Sequence, residues 1–199
     1  MAASEDLEIT QGATFAFVLR WEKLPVVYKP ISGITKAAPC VVTAVSHGVP
    51  DGWRVAVVST RGMDQLKATK KPPKDSEYHR ATVLTGSTIE LNNVNAADFS
   101  AYVSGGYLQY YTPADLAGFT ARMSIKDRVG GTELVSLTTE NDGIVIDAAA
   151  YTITLNIAAV ATAALSAGAR VYDLEMVSPD GVVTPLMYGA ATVSTEVTT

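Results

Sequence analysis

Residues Val171 to Val193 read VYDLEMVSPDGVVTPLMYGAATV, and this stretch decides the fold. Tyr172, Leu174 and Met176 alternate with Asp173 and Glu175, the two-residue period of a strand with one buried and one wet face. Ser178-Pro179-Asp180-Gly181 then turns the chain, because proline fixes φ, the Asp side chain bonds locally to backbone and glycine accepts positive φ. Val182 to Val193 returns as the partner strand, where Pro185 restricts its part of the ladder to a sheet edge or a bulge. Nothing in this hairpin has the residue types of a catalytic site.

The same alternation recurs upstream. In LEITQGATFAFVLRW, Phe15, Phe17, Leu19 and Trp21 share one face against Thr14, Ala16, Val18 and Arg20. Gln11-Gly12 interrupts the pattern as a bulge or a sheet-switching kink would, leaving Leu7 and Ile9 in a short first strand. Phe119 to Lys126, Leu134 to Leu137, Ile144 to Ile146 and Tyr151 to Ile157 follow the same rule, with a turn at Asn141-Asp142-Gly143. Ala158 to Leu165 is Ala-rich and reads as a short helix or turn, with Gly168 placed to end it.

Tyr-x-Pro at Tyr28 returns at Tyr111, so the outer domain is expected to stop after about residue 31 and resume at 112. Between them, Cys40 to Val45, Trp53 to Val58, Ala81 to Leu84, Thr88 to Leu91 and Tyr107 to Tyr111 read as strands. Asn95 to Phe99 reads as one helical turn. Gly62 to Tyr78 is the one long irregular loop, and it is expected to be mobile when unbound.

With 199 residues the chain can form one domain or two small ones, and the interruption favours two. Charged residues are only 18% of the chain, which with its Thr, Val, Ala and Gly suits strands and turns. Residues 34 to 111 hold 8 Lys/Arg and 6 Asp/Glu, the rest 7 and 14, which gives no strongly basic nucleic-acid surface. The start, MAASEDLEITQG, lacks the basic and apolar regions of a secretory signal, and Ala148 to Leu165 is too short and Thr-interrupted for a membrane span. A soluble chain is expected.

Together, DLEITQGATFAFVLRW, DLAGFTARMSIKD and the stretch from Thr152 to Ser194 resemble a family of small bacteriophage virion proteins related to the N-terminal domain of baseplate upper proteins. The middle of the chain, with His47-Gly48, Gly62-Met63-x-x-Leu66 and Tyr102-Val103-Ser104-Gly105-Gly106, resembles a second family. This is the small β-barrel repeat of phage tail proteins, similar to the first catalytic-cysteine half-domain of ubiquitin-activating enzymes. The second resemblance carries no enzymatic residue, and the basic loop after Leu66 is longer than the repeat implies.

Catalytic readings are weak. His47 and His79 are the two histidines, placed at a turn and after a charged loop, and Cys40 before Val41-Val42 reads as a small buried hydrophobe. Three Cys/His residues, widely spaced, do not make a structural zinc site, and Asn141-Asp142-Gly143 and Asp180-Gly181 lack the spacing of a calcium loop. No phosphate-cradling glycine motif is present.

The loop carrying Lys67, Lys70, Lys71 and Lys74 has two readings, a solvated turn or a docking element that orders against an acidic neighbour. Tyr107, Tyr110 and Tyr111 divide in the same way between packing and interface.

The expectation is an all-β chain: a discontinuous immunoglobulin-like β-sandwich (1–31 and 112–199) carrying an inserted small β-barrel (32–111). It is read as a non-enzymatic structural component of a phage virion, assembled in the host cytoplasm, most simply in the tail tip or baseplate. Its partners are other phage structural proteins in multiple copies, with no cofactor, metal, nucleic acid or membrane. The candidate interface is Lys67, Lys70, Lys71, Lys74, Tyr107 and Tyr110. The alternatives are head or neck decoration, or a host-glycan module stacking sugar on Trp53, Tyr102 and Tyr107.

Overall fold

A computed structural model describes residues 2–196. The N-terminal arm forms β1 (Ala3–Ser4), β2 (Leu7–Thr10) and β3 (Phe15–Leu19). The middle forms β4 (Glu22–Pro30), β5 (Gly33–Ile34), β6 (Cys40–Thr43), β7 (Arg54–Val58), β8 (Arg61–Gly62), β9 (His79–Thr85), β10 (Thr88–Leu91), β11 (Tyr102–Ser104) and β12 (Tyr107–Pro113). The rest forms β13 (Thr120–Lys126), β14 (Glu133–Thr138), β15 (Ile144–Asp147), β16 (Thr152–Ile157), helix α1 (Ala159–Ala163), β17 (Gly168–Val177) and β18 (Val183–Ser194). The protein is mostly β, with several antiparallel sheets and one short helix.

Two compact units share these elements. The first comprises the chain up to Trp21 and from Ala114 onward, and the second is Glu22–Pro113. Residues 22–31, assigned by the sequence to the outer domain, lie in the second unit, because β4 pairs antiparallel with β12 from Glu22 opposite Pro113 to Pro30 opposite Tyr107.

In the first unit the hairpin β17–β18 sits inside a six-stranded sheet ordered β1-β18-β17-β13-β14, with β2 also on β18. Gly181 adopts φ +78°, and the Ser178 and Val182 backbones bond across the turn, as its sequence requires. Pro185 stands beside a register shift opposite Leu174 and Glu175, so the missing N–H falls at a bulge. A three-stranded sheet, β15-β16-β3, supplies the other layer.

Gly12, at φ +73°, marks where the chain leaves the first sheet at β2 and enters the second at β3. One core joins both sheets: Leu7, Ile9, Met123, Ile125, Ile153, Leu155, Tyr172 and Leu174 are among its members. α1 is tied in by the Thr162 hydroxyl, which donates to Ala13 O at 2.8 Å. Gly168 does not end the helix but opens β17 at φ +127°; the helix stops at Ala163, before the Leu165 expected from sequence.

The second unit is a seven-stranded sheet ordered β4-β12-β7-β9-β10-β6-β5, beside a two-stranded β8–β11 ladder. β4 and β5 end the order without pairing to each other, so the expected barrel is not closed by hydrogen bonds among the described residues. Asn95 to Phe99 is a turn closed by Phe99 N–H on Ala96 O rather than a helical turn, because Asn95 Oδ1 takes the Ala97 N–H and holds the local backbone in an Asx arrangement. No helix among the described residues is long and apolar enough to cross a membrane.

Candidate interaction surface

Strand parity decides which tyrosines of β12 reach the surface. Tyr107, Gln109 and Tyr111 point to one side of the sheet, Leu108 and Tyr110 to the other. Tyr110 is 3% exposed and donates its hydroxyl to His47 O at 2.6 Å, with burial raising its pKa. It is a core residue, and the interface role assigned to it from sequence is corrected. Tyr107 is 45% exposed and meets Tyr28 of β4, itself 53% exposed, edge-to-face at 6.3 Å. Sequence reasoning passed over Tyr28, whose strand has no alternating period to announce it.

The other end of this face is covered by the loop leading to β9. Tyr78 lies 6.3 Å from Tyr111, accepts a hydrogen bond from Gln109 Nε2 at 3.1 Å, and carries the Arg54 guanidinium 4.9 Å above its ring. Burial raises the Tyr78 pKa. Arg54 is itself clamped in a two-pronged pair with Glu22, Nε to Oε1 at 2.6 Å and Nη2 to Oε2 at 2.7 Å, and reaches Asp75 at 3.0 Å. That bidentate geometry holds the guanidinium charged and its pKa above normal.

The basic loop is therefore anchored at both ends. At its start Lys67 takes the place beside Val57 in a parallel bridge, Ala68 N–H donates to Val57 O at 2.8 Å, and Lys67 Nζ pairs with Asp64 at 2.7 Å. At its end Asp75–Glu77 forms a 3-10 turn. The Glu77 carboxylate accepts from Thr69 N–H at 2.6 Å, the Thr69 hydroxyl at 2.8 Å and Lys74 N–H at 2.8 Å, so this loop is stapled across its neck. Lys70, Lys71 and Lys74 are exposed between these anchors, while Lys67 is half-buried.

The staple titrates. Backbone donation, from Thr69 first and Lys74 second, lowers the Glu77 pKa from 4.5 to about 2. With the folded value below the unfolded one, its contribution is complete above pH 4.5 and is lost as pH falls through about 2. The Thr69 and Lys74 amide resonances are expected to shift with a midpoint near 2; a midpoint at the ordinary carboxylate value would show that the staple does not form.

Residues with reactive capacity are committed elsewhere. His47 is buried: its Nδ1 accepts from Val49 N–H at 3.0 Å, so the proton sits on Nε2, which donates to Thr85 O at 2.9 Å. Cys40 is fully buried, its thiol pushed up to about 11 by desolvation. His79 is half-buried at the start of β9, with burial lowering its pKa. Among the described residues, no three His, Cys, Asp or Glu side chains are grouped to hold a metal ion.

The proposed sugar-stacking set is not brought together. Trp53 is 1% exposed, its Nε1–H donating to Tyr111 O at 3.0 Å, and its ring is therefore closed to a ligand. Tyr102 spends its hydroxyl near Ile31 O and Gly105 O, at 2.9 and 3.0 Å. Of the three, Tyr107 alone presents an exposed ring. No protein-family model matches the sequence, and comparison with curated proteins finds no relative.

Proposed function

We propose that this chain is a non-enzymatic structural subunit of a bacteriophage virion, most simply of the tail tip or baseplate, acting through contacts made by strand edges and loops. The observation that carries this reading is the aromatic and basic face of the second unit. Tyr28 and Tyr107 stand exposed at one end of it, and the stapled loop presents Lys70, Lys71 and Lys74 at the other. Anchored backbone beneath exposed charges and exposed rings suits protein recognition, since tyrosine gives contact area at low entropy cost and anchoring lowers the cost of ordering.

The strand orders are consistent with the rest of the reading. In the first unit, β15-β16-β3 facing β18-β17-β13-β14, with an N-terminal strand parallel to β18, fits an immunoglobulin-like sandwich. The second unit we read as an open variant of the small phage barrel repeat. Formal charge divides between the units: 5 Lys/Arg against 13 Asp/Glu in the first, 10 against 7 in the second. Opposite signs on two surfaces favour packing of repeated subunits in an array.

Mass spectrometry of purified virions tests this. The protein is expected at a stoichiometry set by the particle's symmetry, and virions that assemble and infect without it would contradict the proposal.

A further inference from the structure

Among the described residues, the edge of β3 carries little protection. Asn156 N–H donates to Gly143 O, which turns the Asn156 backbone toward β15. By the alternation of an antiparallel ladder, Phe15, Phe17 and Leu19 bond to β16, and Ala16 and Val18 turn their N–H and C=O groups outward. None of these outward groups has a hydrogen-bond partner among the described residues.

Several other edges are blunted. β4 carries Lys23, Pro25, Lys29 and Pro30, β1 and β5 are two residues long, β14 opens with Glu133, and β15 closes with Asp147. Phe-Ala-Phe-Val-Leu has no charge, proline or glycine. Its aromatic rings are also incompletely covered: Phe15, Phe17 and Leu19 pack on the core but stay half-exposed, and Val18 on the other face is 57% exposed. Along this edge runs a groove of about 350 Å³, with Asp6, Glu8, Thr14, Phe15 and Phe17 in its walls.

We propose that β3 pairs edge-to-edge with β3 of a second copy of this chain, in an antiparallel two-fold contact centred on Phe17. The sequence is self-complementary in that register. Ala16 and Val18 of each copy exchange both backbone hydrogen bonds with Val18 and Ala16 of the other, which satisfies every outward group. Phe15 meets Leu19 of the second copy on the core side, so the half-exposed rings are covered. A strand five residues long buries little, so the dimer is weak alone and gains from repetition in an assembly.

This inference rests on the assembly reading for its use but not for its test, which needs only the isolated protein. Analytical ultracentrifugation of the full chain is expected to show a reversible monomer–dimer equilibrium. Ala16→Pro removes an outward N–H at an edge position where proline is tolerated, and Val18→Lys places a charge at the contact; each is expected to weaken association by about tenfold or more with folding kept, as judged by circular dichroism. Leu134→Lys, on the edge of β14, is expected to leave it unchanged. A monomer at all concentrations, or a dimer indifferent to both β3 variants, would overturn the proposal, whereas virions lacking the protein would overturn only its placement in the particle.

Discussion

Gly189→Ala is expected to destabilise the first unit by about 3 kcal/mol. A Cβ at this position of β18 would stand 2.0 Å from Glu5 O and 2.8 Å from its carbonyl carbon, and backbone cannot yield as a side-chain tip does. Glu5 is held from two directions: its N–H donates to Tyr188 O at 3.0 Å, and its carbonyl accepts the Tyr172 hydroxyl at 2.7 Å. Full detachment of the arm would expose Leu7 and Ile9 at about 2 kcal/mol each, so the cheaper response is a shifted strand that loses the Tyr172 bond. Tyr172→Phe isolates that bond and is expected to cost only about 1 kcal/mol. Denaturant unfolding of both variants checks the account, and a Gly189→Ala effect no larger than that of Tyr172→Phe would show that the arm does not sit against β18.

Trp53→Ala is expected to cost the second unit about 4 kcal/mol, through a cavity where a large side chain was fully enclosed and an indole bond to Tyr111 O that nothing replaces. Cys40 reports this directly, since it lies buried in the same unit and its raised pKa keeps the thiolate scarce. Thiol labelling then waits for opening, and 4 kcal/mol corresponds to a labelling rate roughly a thousandfold higher in the variant. A rate within a few-fold of the parent protein, accompanied by loss of sugar binding, would restore Trp53 as a ligand residue.

Local chemistry made much of the first unit legible. Alternation from Tyr172 to Met176 placed β17, the Pro-Asp-Gly signal placed its turn, Gln11-Gly12 marked the change of sheet, and Pro185 marked a bulge. β4 was legible only as a short extended piece between Pro25 and Pro30, because Glu22 to Pro30 has two prolines and no period; pairing with β12 sets its full length and moves the domain boundary. β5, β8 and β11 are two or three residues long, too short to carry a period.

At the interaction surface the limit was parity. Tyr107 and Tyr110 are three apart on one strand and face opposite sides, so only one of the pair is able to reach solvent, and local sequence did not say which. Arg54, Glu22 and Asp75 converge from three distant segments, and no spacing rule connects them. The lysine loop was visible as composition, but its staple depended on Glu77 folding back on Thr69.

Cryo-microscopy of the phage particle that carries this chain tests the central claim most directly. The account predicts density for both units, repeated by the particle's symmetry, with neighbouring subunits seated on the Tyr28–Tyr107 face, the lysine loop or the β3 edge. Particles complete without that density, or a chain whose edges and aromatic face touch no neighbour, would contradict it.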